Sequence, residues 1–297
     1  MELKLKVYAV IVSFNPDLNV FGKNLATISR QVDKIIVVDN SDCEKKQIAL
    51  ENYLAGMPYI YLVQPKENLG IAYAQNIGFV CALKDSADYV ITFDQDSSVE
   101  DGLINSLFDE FKTVLEGKDI KIACIGPSVV NERTDIRYEK YFHSSTQITE
   151  TVYSVNSIIS SGTLYNVEVF SVIGLNKAEW FIDSIDIEWC YRARYLGYHV
   201  LMTTKVAMKH NLGINDIKLP LGKSINIGSP SRLYYVYRNW LFSIREPQFN
   251  WKYKIKLLVM MPIKFLIFSV IPPRKSRIIF MLRGIKDGLL KRHSLSK

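Results

Sequence analysis

The chain has 297 residues, of which 48% are hydrophobic and 23% charged, and this composition excludes a disordered or fibrous protein. The length allows one large domain with an appendage. The formal net charge of +7 is unevenly distributed, because residues 251–297 contain twelve Lys and Arg side chains but only one acidic residue, Asp287. The tail therefore carries a formal +11 and the first 250 residues a formal −4, so a basic surface is expected at the C-terminal end.

The first half of the chain alternates between apolar runs and amphipathic segments. The apolar runs predict strands at residues 7–14, 34–41, 59–65 and 89–96. Helices are predicted in a segment ending near residue 30, over 67–84 after an entry loop, and over 102–117. Strands separated by helices predict a parallel sheet with covered faces.

Polar residues stand at the carboxyl ends of three of these strands, where open α/β sheets bind their ligands. They are Ser13-Phe14-Asn15, Asp39-Asn40 and Asp94-Gln95-Asp96. Two aspartates so close together repel each other, and most isolated pairs of this kind are solvated turns. The coincidence with the other two strand ends instead favours a divalent cation held by hard oxygen ligands.

The second half is less regular. It predicts a strand at 121–130, a loop or edge at 131–151, and a strand and a helix within 157–174 with a Ser160-Ser161-Gly162 turn between them. From Asp186 onward, apolar and aromatic residues recur at helical spacing, and Gly197 stands where that helix would stop. Acidic groups at the start of the helix lie near its positive dipole, which keeps them ionised.

Several enzyme classes have no motif support. The glycine fingerprint of dinucleotide-binding proteins is missing after the first strand, as are a P-loop and zinc-type Cys/His spacings. The four scattered cysteines form no C-x-x-C pair and the N-terminus has no secretory cleavage pattern, so we expect reduced thiols in the cytosol.

Eight segments, in their order and spacing, resemble the inverting family-2 glycosyltransferases with the GT-A fold, and among them the bacterial L-rhamnosyltransferases of surface-polysaccharide assembly. They are "VIVSFNP" (10–16), "VVDNS" (37–41), "ENLGIAYAQNIG" (67–78), "FDQDS" (93–97), "SSGTL" (160–164), "FIDSIDIEWCYRARYLGY" (181–198), "KHNLG" (209–213) and "SPSRLYYVYRN" (229–239). The resemblance implies a Rossmann-like mixed α/β sheet flanked by helices. We expect the catalytic domain over residues 1–225 and a basic, amphipathic helical region over 226–297.

The resemblance also implies roles for matched positions, with Asp96 and His210 holding Mg²⁺ or Mn²⁺ at the donor diphosphate. Asp186 would be the general base, although Ile185-Asp186 replaces the usual Glu-Asp pair and Asp183 is a rival. Residues expected to bind the donor, directly or through its phosphates, are Ser13, Phe14, Asn15, Asp39, Asn68, Gly70, Asn76, Asp94, Gln95, Arg232 and Arg238. For the two arginines, a helix that packs aromatics and exposes its charges is the alternative.

The implied reaction is inverting transfer of L-rhamnose from dTDP-β-L-rhamnose to a lipid-linked saccharide, for O-antigen, capsule or cell-wall assembly. One alternative is the same fold with UDP-galactose or UDP-glucose as the donor. The other is a non-catalytic, membrane-bound scaffold.

The basic tail predicts a membrane surface as a partner. Its densest apolar stretch, 257–271, contains Pro262 and Lys264 and is shorter than the roughly 20 residues of a spanning helix. Aromatic residues mixed with lysines suit a helix lying in an anionic interface, so we expect a peripheral protein at the cytoplasmic face. Nucleic acid is disfavoured, because such an apolar face has no use against phosphates. Helices packed on the catalytic domain, or an oligomer interface, are the alternatives.

Overall fold

The computed structural model describes residues 5–131, 145–210, 216–218, 224–226 and 228–292. Its strands are β1 (Val7–Ser13), β2 (Lys34–Asp39), β3 (Ile60–Val63), β4 (Tyr89–Asp94), β5 (Ile122–Asn131), β6 (Thr146–Gln147), β7 (Val152–Val155), β8 (Thr163–Asn166), β9 (His199–His210), β10 (Asp216–Lys218) and β11 (Ser224–Asn226). Its helices are α1 (Leu18–Ser29), α2 (Glu44–Leu54), α3 (Ile71–Lys84), α4 (Leu103–Gly117), α5 (Phe170–Ile173), α6 (Ile185–Tyr195), α7 (Pro230–Arg245), α8 (Trp251–Val270) and α9 (Arg274–Leu289).

Nine of the described strands form one mixed sheet, in the order β3-β2-β1-β4-β8-β5-β9-β7-β6. The strands β1 to β4 are mutually parallel, whereas β8 runs antiparallel to both β4 and β5. This arrangement confirms the predicted fold class. It places the carboxyl ends of β1, β2 and β4 side by side, as the polar strand ends predicted.

Alternate residues of the central strands point into two different cores. Ala9 and Ile11 of β1 pack with α1, α2 and α4 on one face of the sheet. Tyr8 and Val10 pack with α3, α5 and α6 on the other face. The apolar runs in the first half of the sequence are therefore continuous because these strands are buried on both faces of the sheet.

The turn Ser160-Ser161-Gly162 is followed by a different element from the one predicted. It precedes the strand β8 instead of separating a strand from a helix. The Gly162 amide donates to the Thr92 carbonyl at 2.7 Å, and the Ser161 hydroxyl accepts from the Asp94 amide at 3.1 Å. Docking on the end of β4 fixes the turn there, which local sequence cannot show.

Three helices follow the sheet. Helix α7 packs closely on α9, because a Cβ added at Gly284 would lie 2.3 Å from the Tyr234 carbonyl oxygen. Helix α8 is longer than the predicted apolar stretch and contains Pro262. No helix among the described residues is long and apolar enough to cross a bilayer. The division of the chain at residue 225 remains a prediction.

Candidate active site

A cleft of about 810 Å³ opens at the carboxyl ends of β1, β2 and β4. Helix α7 and the segment leading into α6 close its other side. Its lining includes the predicted donor-binding residues Phe14, Asn68, Gly70, Asp94, Gln95 and Arg232, and the predicted metal ligand Asp96. The cleft is also lined by residues that the sequence analysis did not assign, namely Asn40, Phe181, Tyr235 and Arg277.

Serines hold the turn that carries the two aspartates at the end of β4. The Asp94 amide donates to the hydroxyls of Ser97 and Ser161 at 3.0 and 3.1 Å. The two hydroxyls are themselves hydrogen-bonded at 2.5 Å. Asp96 is exposed in the cleft, and no described residue donates a hydrogen bond to its carboxylate. The serines therefore fix the backbone and leave Asp96 available to a ligand.

Gln95 ties the ends of β1 and β4 together. Its side-chain oxygen accepts from the Phe14 amide at 2.7 Å, and its Nε2 donates to the Phe14 carbonyl at 3.3 Å. This pairing presents the Phe14 ring, which is 41% exposed, to the cleft. Phe14 thus offers a flat apolar surface next to the two carboxylates.

Asp39 and Ser13 do not line the cleft, contrary to the prediction that they contact the donor. Both are fully buried, and the Ser13 hydroxyl donates to Asp39 at 3.1 Å. Asp39 also accepts hydrogen bonds from the Ser41 hydroxyl and from Gln64. Since its oxygens are already partnered, Asp39 fixes the end of β2, and the next residue, Asn40, reaches the cleft instead.

Asn40 and Asn68 position the loop before α3. Asn40 Nδ2 donates to Asn68 Oδ1 at 2.9 Å, and Asn40 Oδ1 accepts from the backbone amide of Leu69 at 2.8 Å. Asn68 Oδ1 also accepts from the Gly70 amide at 2.9 Å. Gly70 has φ +81°, and a Cβ there would lie 2.5 Å from the Phe181 ring. Only glycine lets the loop approach the cleft wall this closely.

Asn76 and Asn15 do not line this cleft, although the resemblance placed both beside the donor. Asn76 exchanges hydrogen bonds with the backbone of Asn176 at 2.8 and 2.9 Å, so it anchors that loop. Asn15 donates to Asp42 and lies in a neighbouring groove with Lys46. Its buried Oδ1 has no partner among the described residues.

Asp186 lies in the first turn of α6. Its Oδ1 accepts from the Ile187 amide at 2.9 Å. Burial, with the negative charges of Asp94 and Asp183, raises the pKa of Asp186 to about 6. A carboxyl with this pKa is ionised at neutral pH yet is a much stronger base than a free aspartate. Asp186 can therefore accept a proton.

Asp183, the rival base, is occupied. Its two carboxylate oxygens accept from Nε and Nη2 of Arg232 at 2.8–3.0 Å. The hydrogen bonding with Asp183 is the main reason that the pKa of the Arg232 guanidinium is raised. Arg232 therefore keeps its positive charge at the edge of the cleft. The placement favours Asp186 over Asp183 as the base.

Arg238 does not face the cleft, so its position contradicts the prediction that it binds the donor phosphates. Its guanidinium is fully buried and donates to the carbonyls of Glu179 and Trp180 at 2.8 and 3.0 Å. The neighbouring Asn239, also buried, donates to the carbonyls of Trp180, Ile182 and Asp183 at 2.8–3.0 Å. Together these two α7 side chains form a clamp on the segment before α6.

The clamped segment has strained backbone. Phe181, Asp183 and Ser184 all have positive φ between 62° and 69°, which non-glycine residues rarely adopt. Each such residue costs on the order of 1–3 kcal/mol and persists only where its surroundings enforce it. The Arg238–Asn239 clamp and the stacking of Phe181 on Tyr235, with ring centroids 4.7 Å apart, supply that enforcement.

The donor set at the end of β4 fits a hard divalent cation. Asp94 and Asp96 both line the cleft and offer carboxylate oxygens. The backbone of Lys209 pairs with Ser98, so the end of β9 runs beside this turn, while the His210 side chain lies outside the described residues. Among described residues, no cluster of three His, Cys, Asp or Glu side chains forms a complete metal site.

Comparison with known proteins identifies the family. Residues 8–174 match the family described as "Glycosyl transferase family 2". The chain is also 30% identical to "dTDP-rhamnosyl transferase RfbF" of Shigella flexneri over 98% of its own length and 93% of that protein. The chain belongs to glycosyltransferase family 2. It is thus an enzyme that transfers sugars, which confirms the predicted family and disfavours the scaffold alternative.

Solved structures agree with the fold of this glycosyltransferase. The mannosyltransferase PcManGT from Pyrobaculum calidifontis, in complex with GDP-Man and Mn²⁺, aligns with 98% of this chain and 89% of its own at a TM-score of 0.58 and 11% identity. GalNAc-T7 with UDP, GalNAc and Mn²⁺ aligns with 92% of this chain at a TM-score of 0.56 and 17% identity. This chain spans 59% of the GalNAc-T7 chain. At these identities the likeness shows the GT-A fold alone.

Proposed function

We propose that this enzyme transfers L-rhamnose from dTDP-β-L-rhamnose to a lipid-linked saccharide in surface-polysaccharide assembly, with inversion at the transferred carbon. The observation that carries the proposal is the 30% identity with a dTDP-rhamnosyl transferase along nearly the whole chain. The cleft supports it, because Asp94, Asp96 and Arg232 gather charged groups where a nucleotide diphosphate would bind. UDP-galactose or UDP-glucose is the alternative donor.

Asp96, with Asp94 beside it and His210 at the end of β9, would hold Mg²⁺ or Mn²⁺. When bound, such a cation supplies positive charge that stabilises the departing diphosphate. Arg232 contributes a further guanidinium at the edge of the cleft.

The transfer is a single displacement in this proposal. The oxygen of an acceptor hydroxyl forms a bond to the anomeric carbon, and the bond from that carbon to the diphosphate oxygen breaks with its electron pair. The hydroxyl proton goes to the carboxylate of Asp186. One attack from the opposite face gives an α-linked product from a β-linked donor. General-base assistance of this kind contributes about 10²–10⁴ in rate.

Calorimetry with dTDP, UDP and GDP in Mn²⁺ tests the donor. We expect dTDP to bind most tightly in wild-type enzyme, and chelation of the metal or Asp96→Asn to weaken that binding at least tenfold. Tighter binding of UDP would replace dTDP-rhamnose by the alternative donor. If dTDP binds most tightly, hydrolysis of dTDP-rhamnose in the absence of acceptor would identify rhamnose as the transferred sugar.

The C-terminal helices support a peripheral position at the cytoplasmic membrane face. Helix α8 exposes apolar side chains on the side away from its buried Leu257 and Phe268, namely Trp251, Ile255, Leu258, Val259, Ile263, Leu266 and Val270. The same two helices, α8 and α9, carry nine Lys and Arg residues against one acidic residue, Asp287. Such a surface suits anionic headgroups above an apolar layer.

Co-sedimentation with liposomes tests this membrane surface. The full chain should bind vesicles containing phosphatidylglycerol more strongly than neutral vesicles, and salt should weaken the binding. Leu258→Gln/Leu266→Gln should reduce it, whereas Leu115→Gln, at an exposed position of α4, should not. A full-length protein that ignores anionic vesicles would contradict the peripheral assignment.

A further inference from the structure

Helix α7 begins at the wall of the cleft that opens at the ends of β1, β2 and β4. Gly228, Ser229, Pro230 and Ser231, which lead into the helix and form its first turn, all line this cleft. Ser229 is the N-cap, and its hydroxyl accepts from the Arg232 amide at 3.4 Å. The first amides of a helix of 16 residues carry partial positive charge, so this end of α7 favours an anion.

A buried arginine from the C-terminal tail lies beside this helix start. Arg277 of α9 is only 4% exposed, yet it lines the same cleft. Its Nη1 donates to the Gly228 carbonyl at 3.1 Å and its Nε to the Pro272 carbonyl at 3.2 Å. The Cζ of the guanidinium lies 5.9 Å from the centre of the Phe268 ring. These three contacts fix the guanidinium against the residue that precedes the N-cap of α7.

The positive charge of Arg277 is not balanced within the described part of the chain. No acidic residue there forms an ion pair with it, and its Nη2 has no hydrogen-bond partner there. Burial lowers the pKa of the guanidinium, and no described carboxylate offsets that effect. Arg232, by contrast, is already paired with Asp183. A desolvated cation without a counter-ion is costly, and an anion that binds it removes this cost.

We infer that Arg277 and the first turn of α7 form an anion subsite that binds the diphosphate of the nucleotide-sugar donor. A guanidinium and the amides of a helix start are both suited to phosphate oxygens. When the bond from the sugar to the diphosphate breaks, its electron pair stays on the diphosphate, and the subsite stabilises that charge. The inference rests on the proposed glycosyl transfer, and it makes the C-terminal tail part of the donor site.

Calorimetry of the full chain in Mn²⁺, with dTDP and thymidine as ligands, tests the inference. Thymidine has the base and deoxyribose of dTDP but no phosphate, so it reports whether the rest of the site is intact. The test variant is Arg277→Gln. Its matched control is Arg283→Gln, which removes the same charge from an exposed position of α9 outside the cleft lining.

Arg277→Gln should bind dTDP about ten- to a hundredfold more weakly than wild-type enzyme, because hydrogen bonds from a charged group are lost. Thymidine should bind equally to both, and Arg283→Gln should match wild type with either ligand. Unchanged dTDP binding in Arg277→Gln overturns the inference. An equal weakening of dTDP and thymidine also overturns it, because Arg277 would then only support the fold.

Ser231→Asp and Ser231→Asn test the helix start, and they decide the matter if Arg277→Gln fails to fold. Ser231 is exposed in the first turn of α7, and the two new side chains differ in charge but hardly in shape. A carboxylate near a helix N-terminus does not penalise the fold. Ser231→Asp should bind dTDP at least tenfold more weakly than Ser231→Asn, and equal affinities overturn the subsite.

The same titrations separate this inference from the proposed function. Tighter binding of UDP than of dTDP by wild-type enzyme contradicts the proposed donor, and the subsite is then tested by the same comparisons with UDP and uridine. Wild-type enzyme that binds neither nucleotide contradicts the proposed function and the subsite alike. Wild-type enzyme that binds dTDP, with no loss in Arg277→Gln, contradicts the subsite alone.

Discussion

Arg232 of α7 and Asp183, in the segment before α6, form a bidentate ion pair whose nitrogen–oxygen distances are 2.8–3.0 Å. The pair joins the segment that carries Asp186 to the wall of the cleft at the ends of β1, β2 and β4, where the donor is proposed to bind and which is called the donor cleft below. It occupies one of the two carboxylates that could serve as base. The other, Asp186, accepts from the Ile187 backbone amide in its own turn, and no side chain among the described residues is bonded to it. The division of labour between neighbouring aspartates follows from this contact.

Asp186→Asn should lower the rate of sugar transfer by about 10²–10⁴, because the acceptor hydroxyl loses the proposed base. Binding of dTDP should change little, since Asp186 does not line the donor cleft. Rates with saturating donor and acceptor, together with calorimetry of dTDP, check both expectations. The melting temperature should not fall, because burial already penalises the ionised carboxylate.

Asp183→Asn provides the matched control for the base. It breaks the ion pair with Arg232 and should alter the KM for donor more than the rate of chemistry. Retained transfer in Asp186→Asn, combined with its loss in Asp183→Asn, would assign the base to Asp183.

The pH dependence of kcat/KM should show an acidic limb near pH 6. Burial raises the pKa of Asp186 to about 6, so the base is ionised above that pH and becomes protonated below it. Activity should therefore rise with pH through this value and then level off. A limb near pH 4 would contradict the raised pKa. A limb that persists in the residual activity of Asp186→Asn would belong to another group, with His210 the first to test.

Gly70→Ala should reduce donor binding and activity at least tenfold. The new Cβ would lie 2.5 Å from the Phe181 ring and 2.8 Å from the Phe181 carbonyl oxygen, so the wall of the cleft must move. Gly56→Ala is the matched control, because Gly56 has a similar φ of +86° and no atom within 4 Å of the added Cβ. Both glycines have a positive φ, so each alanine variant carries a backbone cost of about 1–3 kcal/mol, but only the first should lose donor binding. Equal losses in both would show that strain, not contact, dominates.

Asn239→Ala should destabilise the protein by about 2–4 kcal/mol. It removes the donor to three carbonyls and leaves buried acceptors without partners. The strained segment should then relax, and transfer should fall further than donor binding. Ser243→Ala, one turn along α7, removes only a hydroxyl bond to the helix's own backbone and should change thermal stability little. A stable, fully active Asn239→Ala would contradict the role of the clamp.

The sheet and the strand ends could be predicted because their signals are local. Strands buried on both faces appear as apolar runs, and polar residues at the ends of parallel strands meet at one edge. The direction of each polar side chain could not be predicted. Asp39 and Arg238 have the residue types that a donor site needs, but Asp39 faces inward to Ser13 and Gln64, and Arg238 to backbone carbonyls. Such orientations depend on partners distant in sequence.

Two features of the site were missed for the same reason. A cleft lined by Ser184, Asp186 and Tyr253 exists only because α8 returns to the start of α6. Asn239 carried one usable signal, since asparagine is a poor helix former and stands here among aromatic residues in a helix. A polar side chain in that setting indicates a buried hydrogen-bonding role, although its partners at 180–183 could not be named in advance.

Because α7 packs against α9, the strained segment before α6 is held in place through contacts that include the basic C-terminal tail. The Tyr234 hydroxyl donates to Asp287, and the Tyr237 hydroxyl to the Met261 carbonyl, so the helix that carries the clamp is itself braced by the tail. Cutting the chain after residue 247 would remove this bracing and loosen the segment that carries Asp186. The enzyme therefore has to be assayed as the whole chain, because inactivity of a shortened version would reflect the lost bracing.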